Sequence, residues 1–318
     1  MKKSTLFWLI FAVCLILAGA LLFVSVMTAA DWDFKKIATE KLSQNTHEIT
    51  EDFYSVLIES DTADIKFTKS EKPQVVCTER EKQKHIVSVE NNTLSIKSTD
   101  TRKWYERIGI TFGTPKIEIA IPEGLYQSLS INEDTGDVDI PADFTFKNVE
   151  VTASTGDVSL GCSSEGLLKV NTSTGNIMAT GLTAEELDLS VSTGTVVVEN
   201  VVSAKLSLSV STGRSALTNV TCRNFTSEGD TGDLRAKNLI AEESVSIKRS
   251  TGDVTFDRCD GGEITVLTDT GDIKGTLLSA KVFNAKTDTG RVKVPETAVG
   301  GRCNLTTDTG DIEINIVE

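Results

Sequence analysis

The pair Thr-Gly recurs ten times along this chain at nearly constant spacing, and that regularity restricts the folds open to it more than any other feature. The glycines are Gly136, Gly156, Gly175, Gly194, Gly213, Gly232, Gly252, Gly271, Gly290 and Gly310, always 19 or 20 residues apart, and an Asp or Ser stands two positions before each. A fixed period of this length marks a solenoid, in which no repeat can bury its own apolar face and stacking supplies the core. Seven residues before the glycines come Leu129, Val149, Leu168, Leu187, Leu206, Phe225, Val245, Ile264, Phe283 and Cys303. Apolar residues alternate again after them, as in Val138 and Ile140 or Val254 and Phe256. Period-two alternation is the signature of a strand, so each repeat reads as strand, tight turn, strand and a return segment. Leucine-rich repeats of similar length carry one strand and a helical return, a pattern missing here. The expectation is an all-β fold: a single-stranded β-helix, or β-solenoid, of about ten coils of 19–20 residues over residues 129–318.

The turn itself has a structural explanation. Glycine supplies a positive φ without a Cβ clash, and the preceding Asp or Ser accepts a backbone hydrogen bond, so the ten glycines are assigned to the corner. A functional alternative rests on the acids. Asp137, Asp157, Asp233, Asp253, Asp272 and Asp311 follow glycines, and Asp230, Asp269 and Asp308 form a second file. Carboxylates stacked one coil apart repel unless they are solvated, capped by backbone N–H groups or bridged by a cation. Asp230, Asp233, Asp253, Asp269 and Asp272 are therefore the candidate calcium ligands. Arg214 and Arg291 interrupt the file, and the nine-residue calcium-roll repeat is absent, so the expected cofactor is none, with calcium as the alternative.

At the other end, Lys2 and Lys3 precede an uncharged apolar run of 25 residues, Leu6 to Ala30. At about 1.5 Å per residue it spans a hydrocarbon core of roughly 30 Å. It is longer than a signal-peptide core, which favours an uncleaved signal anchor over cleavage near Thr28-Ala29-Ala30. The lysines put residues 1–5 in the cytoplasm and residues 31–318 outside, a single-pass arrangement in the cell membrane. Cys14 has a poor lipoprotein lead-in, and Ile312 to Glu318 carries no wall-sorting sequence or second apolar span. The net charge of -14 disfavours nucleic acid or anionic lipid as a main partner. The five cysteines beyond the helix, Cys77, Cys162, Cys222, Cys259 and Cys303, are odd in number and form no C-x-x-C pair, so neither a disulfide framework nor a metal knuckle is indicated.

Residues 51–128 break the repeat into short alternating runs and read as a β cap that hides the solenoid's edge, with Asp61-Thr62-Ala63-Asp64-Ile65 as a degenerate turn and Asn91-Asn92 as a hairpin. Residues 31–50 read as a juxtamembrane linker. Within the cap, Arg102, Lys103, Trp104, Tyr105 and Arg107 cluster basic and aromatic side chains in an acidic ectodomain, the composition of binding hot spots, and are the candidate binding residues; the alternative is that the aromatics plug the solenoid end. Catalytic residues are expected to be none. There are two histidines, His47 and His85, and no G-x-S-x-G, H-E-x-x-H or phosphate loop.

The Ser-Thr-Gly-Asp-Val turns, the Ile-Pro-Glu-Gly lead-in at 121–124 and the Ile-x-Ile strand before it resemble the Toastrack family of bacterial adhesin-type domains, over roughly residues 50–318. The resemblance implies a membrane-linked extracytoplasmic β-solenoid, in several members tied to envelope-stress systems, with no catalytic residues to carry over. The leading expectation is a non-enzymatic binding or scaffold module of the bacterial envelope, its partner another envelope protein or a surface ligand. The alternatives are an adhesin or rigid spacer, and a polysaccharide-active β-helix enzyme.

Overall fold

The computed structural model describes residues 3–33, 42–104 and 113–317. Helix α1 (Lys3–Ala29) holds the apolar run and packs none of its spanning window against the rest of the protein. All else described is strand, turn or loop. The cap comprises β1 (Leu42–Glu48), β2 (Ser55–Thr62), β3 (Asp64–Lys69), β4 (Gln74–Arg80), β5 (Gln83–Glu90), β6 (Thr93–Asp100) and β7 (Lys116–Ile121). The repeat begins with β8 (Gly124–Thr135) and β9 (Val138–Ile140), then β10 (Phe144–Thr155), β11 (Val158–Leu160), β12 (Ser163–Thr174) and β13 (Ile177–Thr180). It continues through β14 (Thr183–Thr231), β15 (Leu234–Thr251), β16 (Val254–Thr270) and β17 (Ile273–Leu277). Four strands remain: β18 (Lys281–Thr289), β19 (Val292–Lys293), β20 (Gly301–Thr309) and β21 (Ile312–Ile316).

The expected solenoid is present. Successive coils pair in parallel and in register, Ile131 beside Val151 and Val151 beside Val170, which stacks the alternating apolar residues into one continuous core from Val56 to Ile314. The corner glycines are needed because coils approach too closely for a side chain. At Gly213, φ is 142° and a Cβ would lie 1.7 Å from the carbonyl oxygen of Gly194. The degenerate turn at Ala63 belongs to an additional coil, since Thr62 of β2 pairs with Thr135 of β8.

The order of coils in space departs from their order in sequence at both ends. β2 and β3 lie between the coil of β6 and β7 on one side and that of β8 and β9 on the other. Likewise β20 and β21 lie between the coil of β16 and β17 and that of β18 and β19. The outermost coil of the repeat is therefore 281–293, not the one ending near Glu318. The linker expected over residues 31–50 gives way, from Leu42 onward, to β1, which pairs antiparallel with β4; its sequence, LSQNTHE, is a polar edge strand without the apolar alternation that would have announced it.

Candidate functional site

The candidate binding cluster sits at the cap end, where β4 turns into β5. Thr101 donates from its N–H to the carbonyl of Lys82 in that turn at 3.0 Å, which fixes the start of the segment. Arg102 is committed locally: its backbone N–H and Nε donate to Asp100 Oδ1, and a terminal nitrogen to Oδ2, each at 2.9 Å, with the pair largely shielded from solvent. Trp104 is 77% exposed, so it does not plug the solenoid. Lys103 lies between them. Tyr105 and Arg107 fall outside the described residues.

The aspartate files have a structural use. In the file after the glycines, one carboxylate oxygen accepts the backbone N–H of the matching residue in the next coil: Asp157 donates to Asp137 at 2.8 Å, Asp272 to Asp253 at 2.8 Å and Asp311 to Asp272 at 2.7 Å, while Asp253 donates to Asp233 at 3.2 Å. Basic neighbours take up the remaining charge, as with Lys274 on Asp272 and Arg291 on Asp311. Lys274 and the Asp311 N–H together hold the Asp272 carboxyl below its ordinary range. Asp230 and Asp269, in the other file, are exposed. Among the described residues, the candidate calcium ligands are not gathered into any group of three ligand atoms.

One such group does exist, elsewhere. Cys77, Glu79 and His85, all buried on the inner faces of β4 and β5, bring one ligand atom each within 4.8 Å of one another. Their residue types would also suit a cysteine nucleophile with a histidine base, but the environment is wrong for it: burial, and secondarily Glu79, pushes the Cys77 thiol up to about 12, so it is protonated and unreactive at neutral pH. A second corner was also missed in the sequence. Asn200, Asn219 and Asn238 adopt left-handed backbone, with φ of 54°, 55° and 52°, and their amides bond in a ladder at 2.9 Å. Their 19-residue spacing was the available signal.

The grooves along the coils are open rather than enclosing. The largest of those described, about 590 Å³, is floored by Lys69, Glu123, Asp143 and Glu165, and Lys69 and Glu123 already pair with each other.

No curated protein matches the chain. Among solved structures, a provisionally named adhesin from Parabacteroides merdae is similar at 14% identity, with a TM-score of 0.49 over 87% of this chain and 98% of that one. A provisionally named adhesin from Parabacteroides distasonis scores 0.49 at 13% identity, covering 87% and 98% of the two chains. A provisionally named lipid-binding protein from the same organism scores 0.45 at 16% identity, covering 87% and 97%. The family model described as Toastrack DUF4097 matches residues 54–214 and 204–318, nearly all of the strand-built part, and on that match the chain belongs to the Toastrack family.

Proposed function

We propose that the protein is a non-enzymatic, membrane-anchored module of the bacterial cell envelope, with its solenoid outside the membrane, acting by binding or scaffolding another envelope protein. The observation that carries this reading is the contrast between a helix whose apolar spanning window buries nothing in the rest of the molecule and a solenoid with one continuous apolar interior. Such a helix needs a bilayer as its solvent, and such an interior leaves only the outer surface for recognition. Trp104 is the contact residue this reading favours, because an exposed aromatic beside a fixed arginine loses little conformational entropy on binding. Sensing of envelope stress is the finer form of the proposal, with the rod presenting one end to a signalling partner; attachment to a surface ligand is its competitor.

A photo-crosslinking amino acid at position 103 of the full chain, expressed in bacterial membranes, tests it. A discrete protein adduct is expected, lost in Trp104→Ala and kept in Asp253→Asn, with a tag after Glu318 open to external protease in spheroplasts. An adduct indifferent to Trp104→Ala, or a protected tag, overturns the reading. Turnover of a uronate polymer by the purified protein would replace it with the enzyme alternative.

A further inference from the structure

The cluster of Cys77, Glu79 and His85 has no evident packing purpose. β4 alternates, placing Val75, Cys77 and Glu79 inward at 0%, 0% and 2% exposure, and β5 returns with His85 inward at 6%. The core on which they sit is otherwise apolar, and although Cys162, Cys222, Cys259 and Cys303 lie in it too, none of its members carries a charge or an imidazole. Burying a carboxylate and an imidazole there costs free energy that an apolar pair would not.

Their arrangement is that of a held ligand set. Asn45 Nδ2 donates to Glu79 Oε1 at 2.6 Å and the His85 backbone N–H to Oε2 at 2.6 Å, which fixes the carboxylate from two sides. His85 Nδ1 lies 3.0 Å from Oε2. Two ligand atoms on a tetrahedral zinc with bonds of about 2.0–2.1 Å are separated by roughly 3.3 Å, so a small displacement converts this contact into a shared ion. β1 offers a further candidate donor, His47, whose ring would have to swing inward because it lies outside the group of three. In its antiparallel register Asn45 faces Cys77 and His47 faces Val75, and such partners point to the same side. His47 is thus diagonal to Cys77 on the inner face, and its Nε2 is buried without a hydrogen-bond partner. Both histidines of the chain converge on this end.

We propose that Cys77, Glu79 and His85 bind a borderline-soft divalent transition ion, Zn²⁺ in the first instance, with His47 as the fourth donor. Thiolate and imidazole select such an ion over calcium, which takes oxygen ligands. Binding forms the bond to Sγ as the thiol proton leaves to solvent, and the His85 ring coordinates in its neutral form with its N–H on the nitrogen turned away from the ion. A set closed by four protein donors is of the structural kind. Here it would tie β1, the first described strand after the helix, to β4 and β5.

The full chain in detergent micelles, stripped with a chelator under reductant, is titrated with Co²⁺. Expected are the intense visible bands of tetrahedral cobalt and a thiolate-to-cobalt charge-transfer band, saturating at about one ion per chain and abolished by Zn²⁺. Both are absent in Cys77→Ser and unchanged in Cys222→Ser, and Zn²⁺ raises the Tm of the wild type but not of Cys77→Ser. Should Cys77→Ser fail to fold by circular dichroism, His85→Gln serves in its place. His47→Gln is expected to keep the charge-transfer band with affinity at least about tenfold weaker; unchanged affinity overturns its place in the set. A wild type with no band and no zinc-dependent rise in Tm overturns the proposal. So does a band that survives Cys77→Ser or is lost in Cys14→Ser, which would mark binding at the exposed helix thiol.

Discussion

The two ends of the solenoid solve the same problem differently. At the cap end, the outermost coil, β6 and β7, is covered by antiparallel strands: β5 runs along β6, β4 along β7, and β1 along β4. At the far end, β18 and β19 pair only with β20 and β21 on their inner side among the described residues. Val292 is 44% exposed there and Phe283 half-buried, whereas their ladder partners one coil inward, Ile312 and Cys303, are fully buried. A bare edge invites foreign strands, and charge and brevity are the usual deterrents. The far coil has both: β19 is two residues long, and Lys286, Arg291 and Lys293 line this coil. One end is closed by added structure, the other only discouraged from pairing.

The largest test of this contrast is deletion of residues 301–318. In a solenoid stacked in sequence order it would trim one outer coil. Here it removes an inner one and strips Cys303, Leu305, Ile312 and Ile314 from the core. At about 1.5–3 kcal/mol for each large apolar side chain, a loss on the order of 6 kcal/mol or more is expected in urea unfolding, together with release of 281–293. A loss below about 2 kcal/mol would mean that the outer coil simply drops into the gap.

Next comes a matched pair. Phe225→Ala, at a fully buried position in mid-solenoid, is expected to cost about 3–5 kcal/mol. Phe283→Ala, half-buried at the same repeat position of the far coil, should cost roughly 1 kcal/mol. Equal Tm shifts would refute an open end.

The last test, whose effect shows only as a change of stability with pH, concerns the junction with the cap. Glu133 is buried; its Oε1 accepts from the N–H groups of Ala63 at 3.0 Å and Thr135 at 3.3 Å, and its Oε2 meets no partner, the nearby Ser60 hydroxyl included. Burial pushes its carboxyl up from 4.5 to about 7. Because the folded value lies above the unfolded one, its contribution is whole below about pH 4.5 and is lost as pH rises through 7. That amounts to roughly 3 kcal/mol relative to Glu133→Gln. Parallel stability profiles for the two proteins between pH 4 and pH 8 would exclude it.

Much of the fold was legible because each coil repeats a local rule, a glycine where coils crowd and apolar residues at every second position around it. The order of the coils was not. Repeats that look alike dock equally well on any neighbour, so nothing in the pattern around Gly290 or Gly310 says which lies outside. β1 escaped notice because a polar edge strand has no apolar face to betray it. At the candidate sites, Trp104 stood out by residue type alone. Cys77, Glu79 and His85 did not, since strand pairing rather than sequence spacing joins them; the available hint was a glutamate two residues beyond Cys77, on the inward phase of a strand.

The interleaved far end also imposes an order in time. Residues 281–293 have no ladder with β16 or β17, so when a ribosome has delivered them their seat does not yet exist. They must wait until 301–316 have been made and laid down on 264–277. A chain stalled in between carries an unplaced strand with exposed valines, which makes this short interval of synthesis the moment when the protein is most open to proteolysis or mispairing.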